Sequence, residues 1–192
     1  MKNTLITIAA SVALAIFTIS FTAPAKAPML QAKGEGHEKV SEKLFIDDAF
    51  FKKYKLEASA RAIQRIHDWT NMVDKDNKYA VVNDIRWEFD KPEQALDYYQ
   101  KNLTVNSQKG VELKGTRINI PGVTELHIYK ESASIENLNK DLGISTMEYG
   151  YLFVVDKVVA KVWVKVNGDV KVDEAALFAK EAASTIHKAL GK

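Results

Sequence analysis

The stretch Thr146-Met147-Glu148-Tyr149-Gly150-Tyr151-Leu152-Phe153-Val154-Val155-Asp156-Lys157-Val158-Val159-Ala160-Lys161-Val162-Trp163-Val164-Lys165-Val166 decides the fold. It reads as two long strands that meet at Asp156-Lys157. With those two residues as the loop, Val155 faces Val158, and every other pair across the ladder follows. One face collects Met147, Tyr149, Tyr151, Phe153, Val155, Val158, Ala160, Val162, Val164 and Val166, a continuous apolar surface. The other sets Glu148 against Lys165, Gly150 against Trp163, Leu152 against Lys161 and Val154 against Val159. An opposite-charge pair and an indole laid over a glycine are favourable cross-strand arrangements, each worth about 0.2–1 kcal/mol. A slip by one residue loses both and turns the apolar face to water.

Downstream, the pattern predicts a helix over 173–190, with Asp173 as N-cap and Gly191 just past its end. Its stripe of Ala176, Ala179, Ala183, Ile186 and Leu190 is mostly alanine, so the helix can approach a partner surface closely, and the apolar face of the hairpin is the surface on offer. Upstream, Val123 to Lys130 reads as a strand, preceded by a Pro121-Gly122 turn and by one or two short strands over 111–120 broken near Gly115. The polar stretch 131–145 reads as a surface excursion.

Further back, Asp90-Lys91-Pro92-Glu93 opens a helix that runs to about Leu103 along Ala95, Leu96, Tyr99 and Leu103, with Asp90 as N-cap. Before it, Tyr79, Val81, Ile85, Trp87 and Phe89 alternate with Asp84, Arg86 and Glu88, as in a strand with one wet face. Asp74 to Lys78 is a turn. Leu56, Ala60, Ile63, Ile66, Trp69 and Val73 recur at three- and four-residue steps, which predicts a helix over 56–73 led by a shorter one at 48–54.

The first residues have another character. Lys2 supplies a positive end, Leu5 to Phe21 is apolar, and small residues follow, the pattern of a secretory signal peptide. Ala23-Pro24-Ala25 and Ala25-Lys26-Ala27 both suit cleavage; the first is favoured because cutting after Ala27 places Pro28 directly past the scissile bond. An uncleaved anchor is the rival reading, which the Ser and Thr of 18–22 weaken. Residues 1–25 are thus read as the signal peptide, 26–43 as a flexible leader rich in Lys, Glu and Gly, and 44–192 as one α+β domain. That domain is expected to be an antiparallel sheet of about five or six strands with helices packed on it. Removing Lys2 with the signal takes the 27 basic residues to 26 against 25 acidic ones, a balance that points to no nucleic-acid partner. The chain has no cysteine, hence no disulfide and no acylated lipoprotein anchor. The mature protein is expected in the periplasm or secreted, with no stable membrane insertion.

No motif carries recognisable chemistry. His37, His67, His127 and His187 lack a second ligand at metal spacing, and the His37-Glu38 start of a zinc-protease helix meets Ser41 where its second histidine belongs. Asp74-Lys75-Asp76 opens like a calcium loop, but Tyr79 and Ile85 stand where glycine and a bidentate carboxylate are required. No serine sits in a glycine-flanked elbow. Gly34-Glu35-Gly36 has no strand–helix unit behind it, and Asn102-Leu103-Thr104 is a glycosylation acceptor in form only. No metal or cofactor is expected.

Three classes of function remain. The first is a non-enzymatic binding or accessory protein with an unknown protein or small-molecule partner in the cell envelope, for which Trp163 flanked by Lys161 and Lys165 is the candidate surface. The second is a carrier of an apolar ligand in a cavity between sheet and helix lined by Met147, Tyr149, Tyr151 and Phe153. The third is an enzyme with an unrecognised site, such as His127 with Glu125 and Tyr129.

Tyr151 to Val162 followed by the helix 175–190, and Trp87-Glu88-Phe89-Asp90-Lys91-Pro92-Glu93-Gln94-Ala95, resemble the closing hairpin and the strand-then-helix unit of poorly characterised exported bacterial proteins, themselves loosely similar to the PsbP/Mog1-like sandwich fold. The resemblance spans roughly the last 110 residues and implies architecture alone.

Overall fold

A computed structural model describes residues 40–59, 65–71, 74, 76–106, 111–113, 116, 118–131 and 146–192. The expected signal peptide, most of the leader, the break near Gly115 and the excursion at 132–145 lie outside the described residues. Seven antiparallel strands form one sheet: β1 (Glu57–Ala58), β2 (Ile66–Thr70), β3 (Tyr79–Glu88), β4 (Val111–Glu112), β5 (Glu125–Glu131), β6 (Thr146–Val155) and β7 (Val158–Asn167), in the spatial order β1-β2-β3-β7-β6-β5-β4. Five of the seven are long; β1 and β4 are two-residue edge pieces. Helix α2 (Pro92–Asn106) packs on one face. The other face carries α1 (Asp48–Lys52), α3 (Val172–Ala175), α4 (Leu177–Ala189) and a 3-10 turn at Glu42–Leu44. This is the expected α+β architecture.

The β6–β7 hairpin has the register read from the sequence, from Val155 opposite Val158 to Glu148 opposite Lys165. Asp156 turns the loop with φ 52, a left-handed conformation that Asp tolerates better than most residues. Nine of the ten apolar-face residues are buried, and Met147 is partly so. Burying a large aliphatic or aromatic side chain is worth about 1.5–3 kcal/mol, so this one face supplies much of the drive to fold.

Where it is described, the stretch expected as a helix over 56–73 is strand instead, at Glu57–Ala58 and Ile66–Thr70; residues 60–64, 72 and 73 lie outside the described residues. Ile66 to Thr70 is strand β2, paired from Ile66 opposite Ile85 to Thr70 opposite Val81. His67 and Trp69 are buried, while Ile66, Asp68 and Thr70 are only partly so. Ile66 and Trp69 satisfy a three-residue step as well as they satisfy strand pairing, and the edge of β3 decides between the two.

In β3 a register irregularity between Tyr79 and Val81 breaks the period of two. Tyr79 and Val82 therefore both reach the main core, and Asp84 and Arg86 follow them inward, where each is fully buried. The face read from sequence as wet is the buried one. Val81, Asn83, Ile85 and Trp87 turn instead toward the α2 side, where Trp87 joins Phe89, Ala95, Tyr99, Leu152 and Val159.

The helix ends also differ in detail. Helix α2 starts one residue later than read, with Gln94 Oε1 accepting from the Lys91 N–H at 3.0 Å, the reach-back half of a capping box. Leu96 turns outward, 39% exposed. The last helix is two: α3 begins after Lys171, so Asp173 lies in its first turn and is not its cap, and a break at Ala176 precedes α4. Alanines still dominate the contact, with Ala179, Ala182 and Ala183 buried beside Phe178 and Ile186. The compact body begins ahead of Leu44, since Val40 is buried with it.

Candidate binding site along the last helix

The inner side of α4 is anchored by Phe178, whose ring meets Phe51 at 5.7 Å, Phe50 at 6.0 Å, Tyr54 at 5.2 Å and Tyr79 at 4.9 Å between centroids. Helix α1 is held in register by Asp47, which accepts from the Ala49 N–H at 2.6 Å, and by Phe51, stacked on Trp69 at 3.6 Å. The segment 40–56 is therefore packed beside α4, and among the described residues two open clefts lie along the helix. They share Glu181 and Lys188 on its outer side.

The first cleft, about 600 Å³, has an apolar floor of Phe50 and Tyr54 from α1 and its exit, Leu177 at the start of α4, and Pro121. Phe50, Tyr54 and Leu177 are only partly buried in the core, so each keeps apolar surface on the groove side. Lys180, Ser184, His187 and Lys188 follow along the helix, and Lys192 closes the far end, held at 3.0 Å by Asp156 of the hairpin loop. The Pro121-Gly122 wall is the expected turn: the Val123 N–H donates to the Ile120 carbonyl at 3.3 Å, and Gly122 has φ 73, which L side chains rarely adopt. The His187 ring fills the space a methyl group at Gly122 would need.

The second cleft, about 610 Å³, is lined by Glu42, Asp47, Asp48 and Glu181, with Phe45 and His67 below. Its carboxylates have structural duties. Asp47 caps α1, and Asp48 accepts from the Trp69 indole N–H at 2.9 Å. His67 is stacked on Phe45 at 3.6 Å, with Nε2 3.5 Å from a Glu42 carboxylate oxygen.

Opposite His67 in the β2–β3 ladder stands Asp84. Its carboxylate meets Arg86 Nη2 at 2.7 Å through Oδ2, and Arg86 Nε donates to the Leu44 carbonyl at 3.4 Å, while Asp84 Oδ1 and Arg86 Nη1 are buried without a hydrogen-bond partner among the described residues. Arg86 thus satisfies one carbonyl of the 44–46 segment from β3, with Asp84 as its counter-charge. Burial pushes the Asp84 carboxyl up from 3.8 to about 6, against the pull of Arg86 and of the Ile46 N–H. A carboxyl that holds its proton more tightly when folded contributes stability at low pH and loses it as pH rises through that range. Compared with Asp84→Asn, which cannot titrate, the wild-type protein should lose stability from about pH 4 to about pH 6 and then run parallel. Thermal unfolding of both proteins across pH 4–8 reads this; a difference curve that rises with pH contradicts it.

The surface singled out in the sequence, Lys161, Trp163 and Lys165, is half-buried. Trp163 donates its indole N–H to the Tyr129 hydroxyl at 2.5 Å, Lys161 Nζ sits 4.8 Å from the Trp163 ring centroid, and Lys165 lies 3.8 Å from Glu148. The ring over Gly150 is that of Tyr129, from β5, and not the indole. The structure brings Lys161 and Trp163 together and leaves Lys165 to its cross-strand partner.

His127 and Tyr129 do share a face, with ring centroids 5.7 Å apart, but the carboxylate placed against His127 is that of Glu112, at 3.7 Å. Burial holds the His127 imidazole below its usual range, with Glu112 pulling the other way. Tyr149 and Tyr151 donate their hydroxyls to the carbonyls of Val170 and Val172, and Phe153 is fully buried. They tie the α3 approach to the sheet. Among the described residues no three His, Asp or Glu side chains could hold a metal ion, and no helix is long and apolar enough to cross a membrane.

No sequence signal marked the groove beside α4, because three segments far apart in the chain build it. The nearest hint was the polar row Lys180, Ser184 and Lys188, at helical spacing and opposite the alanine stripe. No family model matches the chain, and no curated protein matches it. Among solved structures it is similar to the extracellular domain of PknH from Mycobacterium tuberculosis, with 12% identity and a TM-score of 0.49, over 80% of this chain and 100% of that one.

Proposed function

We propose that this chain is an exported, non-enzymatic binding protein of the cell envelope, periplasmic or secreted, and that its binding seat is the groove between α4, α1 and the Pro121-Gly122 turn. Export rests on the sequence, on Lys2, the apolar run to Phe21 and the small residues at 23–27. The observation that carries the binding reading is the groove itself. Its volume of about 600 Å³ falls within the usual range for small-molecule sites, and it combines apolar aromatic surface with a few polar groups on rigid elements. The Lys161, Trp163 and Lys165 face is the weaker seat, since Trp163 has already committed its indole N–H.

Native mass spectrometry of the protein purified from the cells that make it should show a bound small-molecule mass. Ser184→Trp, which places an indole in the groove, should remove that mass without loss of the folded charge-state pattern. Bare protein in repeated preparations, or the same mass retained by Ser184→Trp, overturns the assignment.

A further inference from the structure

Resting on that reading of the groove, we infer that its ligand is a free single-chain amphiphile with an anionic head, of the long-chain carboxylate class. Phe50, Tyr54 and Leu177 offer exposed apolar surface at the floor, which suits a hydrocarbon tail. The rim is cationic. Lys180 and Lys188 are exposed, and among the described residues neither has a carboxylate within ion-pair distance, in contrast to Lys192 with Asp156 and Lys78 with Glu174. Eight residues apart on one helix, they stand about 12 Å from each other along its axis. An anion lying between them meets positive charge on both sides. Against these two lysines the lining sets one acid among the described residues, Glu181.

The arrangement discriminates by charge. A cationic amphiphile gains the same apolar contact and is repelled by the rim, and a neutral one gains the contact alone. The neighbouring cleft reverses the balance, with Glu42, Asp47, Asp48 and the shared Glu181 against Lys43 and the shared Lys188, so an anionic head is favoured on the Lys180 side of α4.

The probes are dodecanoate and dodecyltrimethylammonium, each kept below its micelle-forming concentration, with phosphatidylglycerol vesicles as a third arm, measured by titration calorimetry on the mature protein. Dodecanoate should bind with one-to-one stoichiometry and dodecyltrimethylammonium at least tenfold more weakly. The pair Lys180→Glu and Lys188→Glu should weaken dodecanoate at least tenfold, and so should Leu177→Asp. The two lysines are exposed, so their reversal leaves the fold intact, which circular dichroism checks. Equal affinity for both probes overturns the inference, as does dodecanoate binding untouched by the lysine reversals. Binding to vesicles with none to free dodecanoate overturns it in favour of a membrane surface. A neutral or cationic mass lost on Ser184→Trp in native mass spectrometry leaves the binding protein standing and removes the anionic class alone.

Discussion

Arg86→Leu should cost about 3–5 kcal/mol of folding stability, because it strands the fully buried Asp84 carboxylate without its counter-charge. The second variant distinguishes two roles for the pair. If Asp84 and Arg86 only neutralised each other, replacing both with leucine would be neutral or stabilising, as is often found for buried ion pairs. Here Arg86 also donates to the Leu44 carbonyl. One backbone group loses its partner in the double variant, at about 1–3 kcal/mol when buried. The double variant should therefore recover part of the loss and remain about 1 kcal/mol or more below wild type. Urea unfolding followed by tryptophan fluorescence measures both variants, and exchange at the Leu44 and Phe45 amides, bonded within the adjoining turn, should quicken in each. Full recovery in the double variant would show that the pair does not hold the 44–46 segment.

That segment links the buried charges to the groove. Residues 44–46 lead into α1, and α1 supplies the Phe50 side of the binding cleft. The groove wall is thus tied to β3 through the Arg86–Leu44 hydrogen bond as well as to Phe178 by aromatic packing. Arg86→Leu should loosen the wall as well as the fold.

The hairpin was legible because loop length and alternation fix a local register together, with no other part of the chain required. Helix α4 was legible for a similar reason, its alanine stripe being contiguous. What failed was non-local. Whether Ile66 to Thr70 is helix or strand depends on an edge of β3 that the segment itself does not encode, and His67 and Trp69 go inward only once that edge exists. The irregularity at Tyr79–Val81 reverses the sense of every later β3 position, so a strictly alternating reading puts Asp84 and Arg86 in water. The expectation that an indole covers Gly150 used the one neighbour that the hairpin provides, and the β5 neighbour on the other side was not yet aligned. Lys161, Trp163 and Lys165 were correctly placed on one strand face, yet their exposure depended on Tyr129 and α2, which arrive from elsewhere.

Gly150→Val tests that β5 contact directly. Gly150 is in mid-strand, and its φ is not in the left-handed region, so glycine is there for space and not for conformation. Any Cβ would overlap the Tyr129 ring, which is held from above by the Trp163 indole N–H and is almost wholly buried. Valine gains strand preference of up to about 1 kcal/mol over glycine. Against it stand overpacking, typically about 1–3 kcal/mol, and loss of the Tyr129–Trp163 hydrogen bond, about 0.5–1.5 kcal/mol. The balance is a net loss of about 2–3 kcal/mol, with Trp163 emission shifted toward the red as its ring is displaced. Tyr129→Ala in the wild-type background should be costly, as truncating a buried aromatic usually is, about 3–5 kcal/mol. In the Gly150→Val background it should cost much less, because the valine then occupies the vacated site. A measured coupling near zero between the two positions, or a Gly150→Val protein as stable as wild type, would mean that the ring lies elsewhere and that the β5–β6 register differs from Tyr129 opposite Gly150.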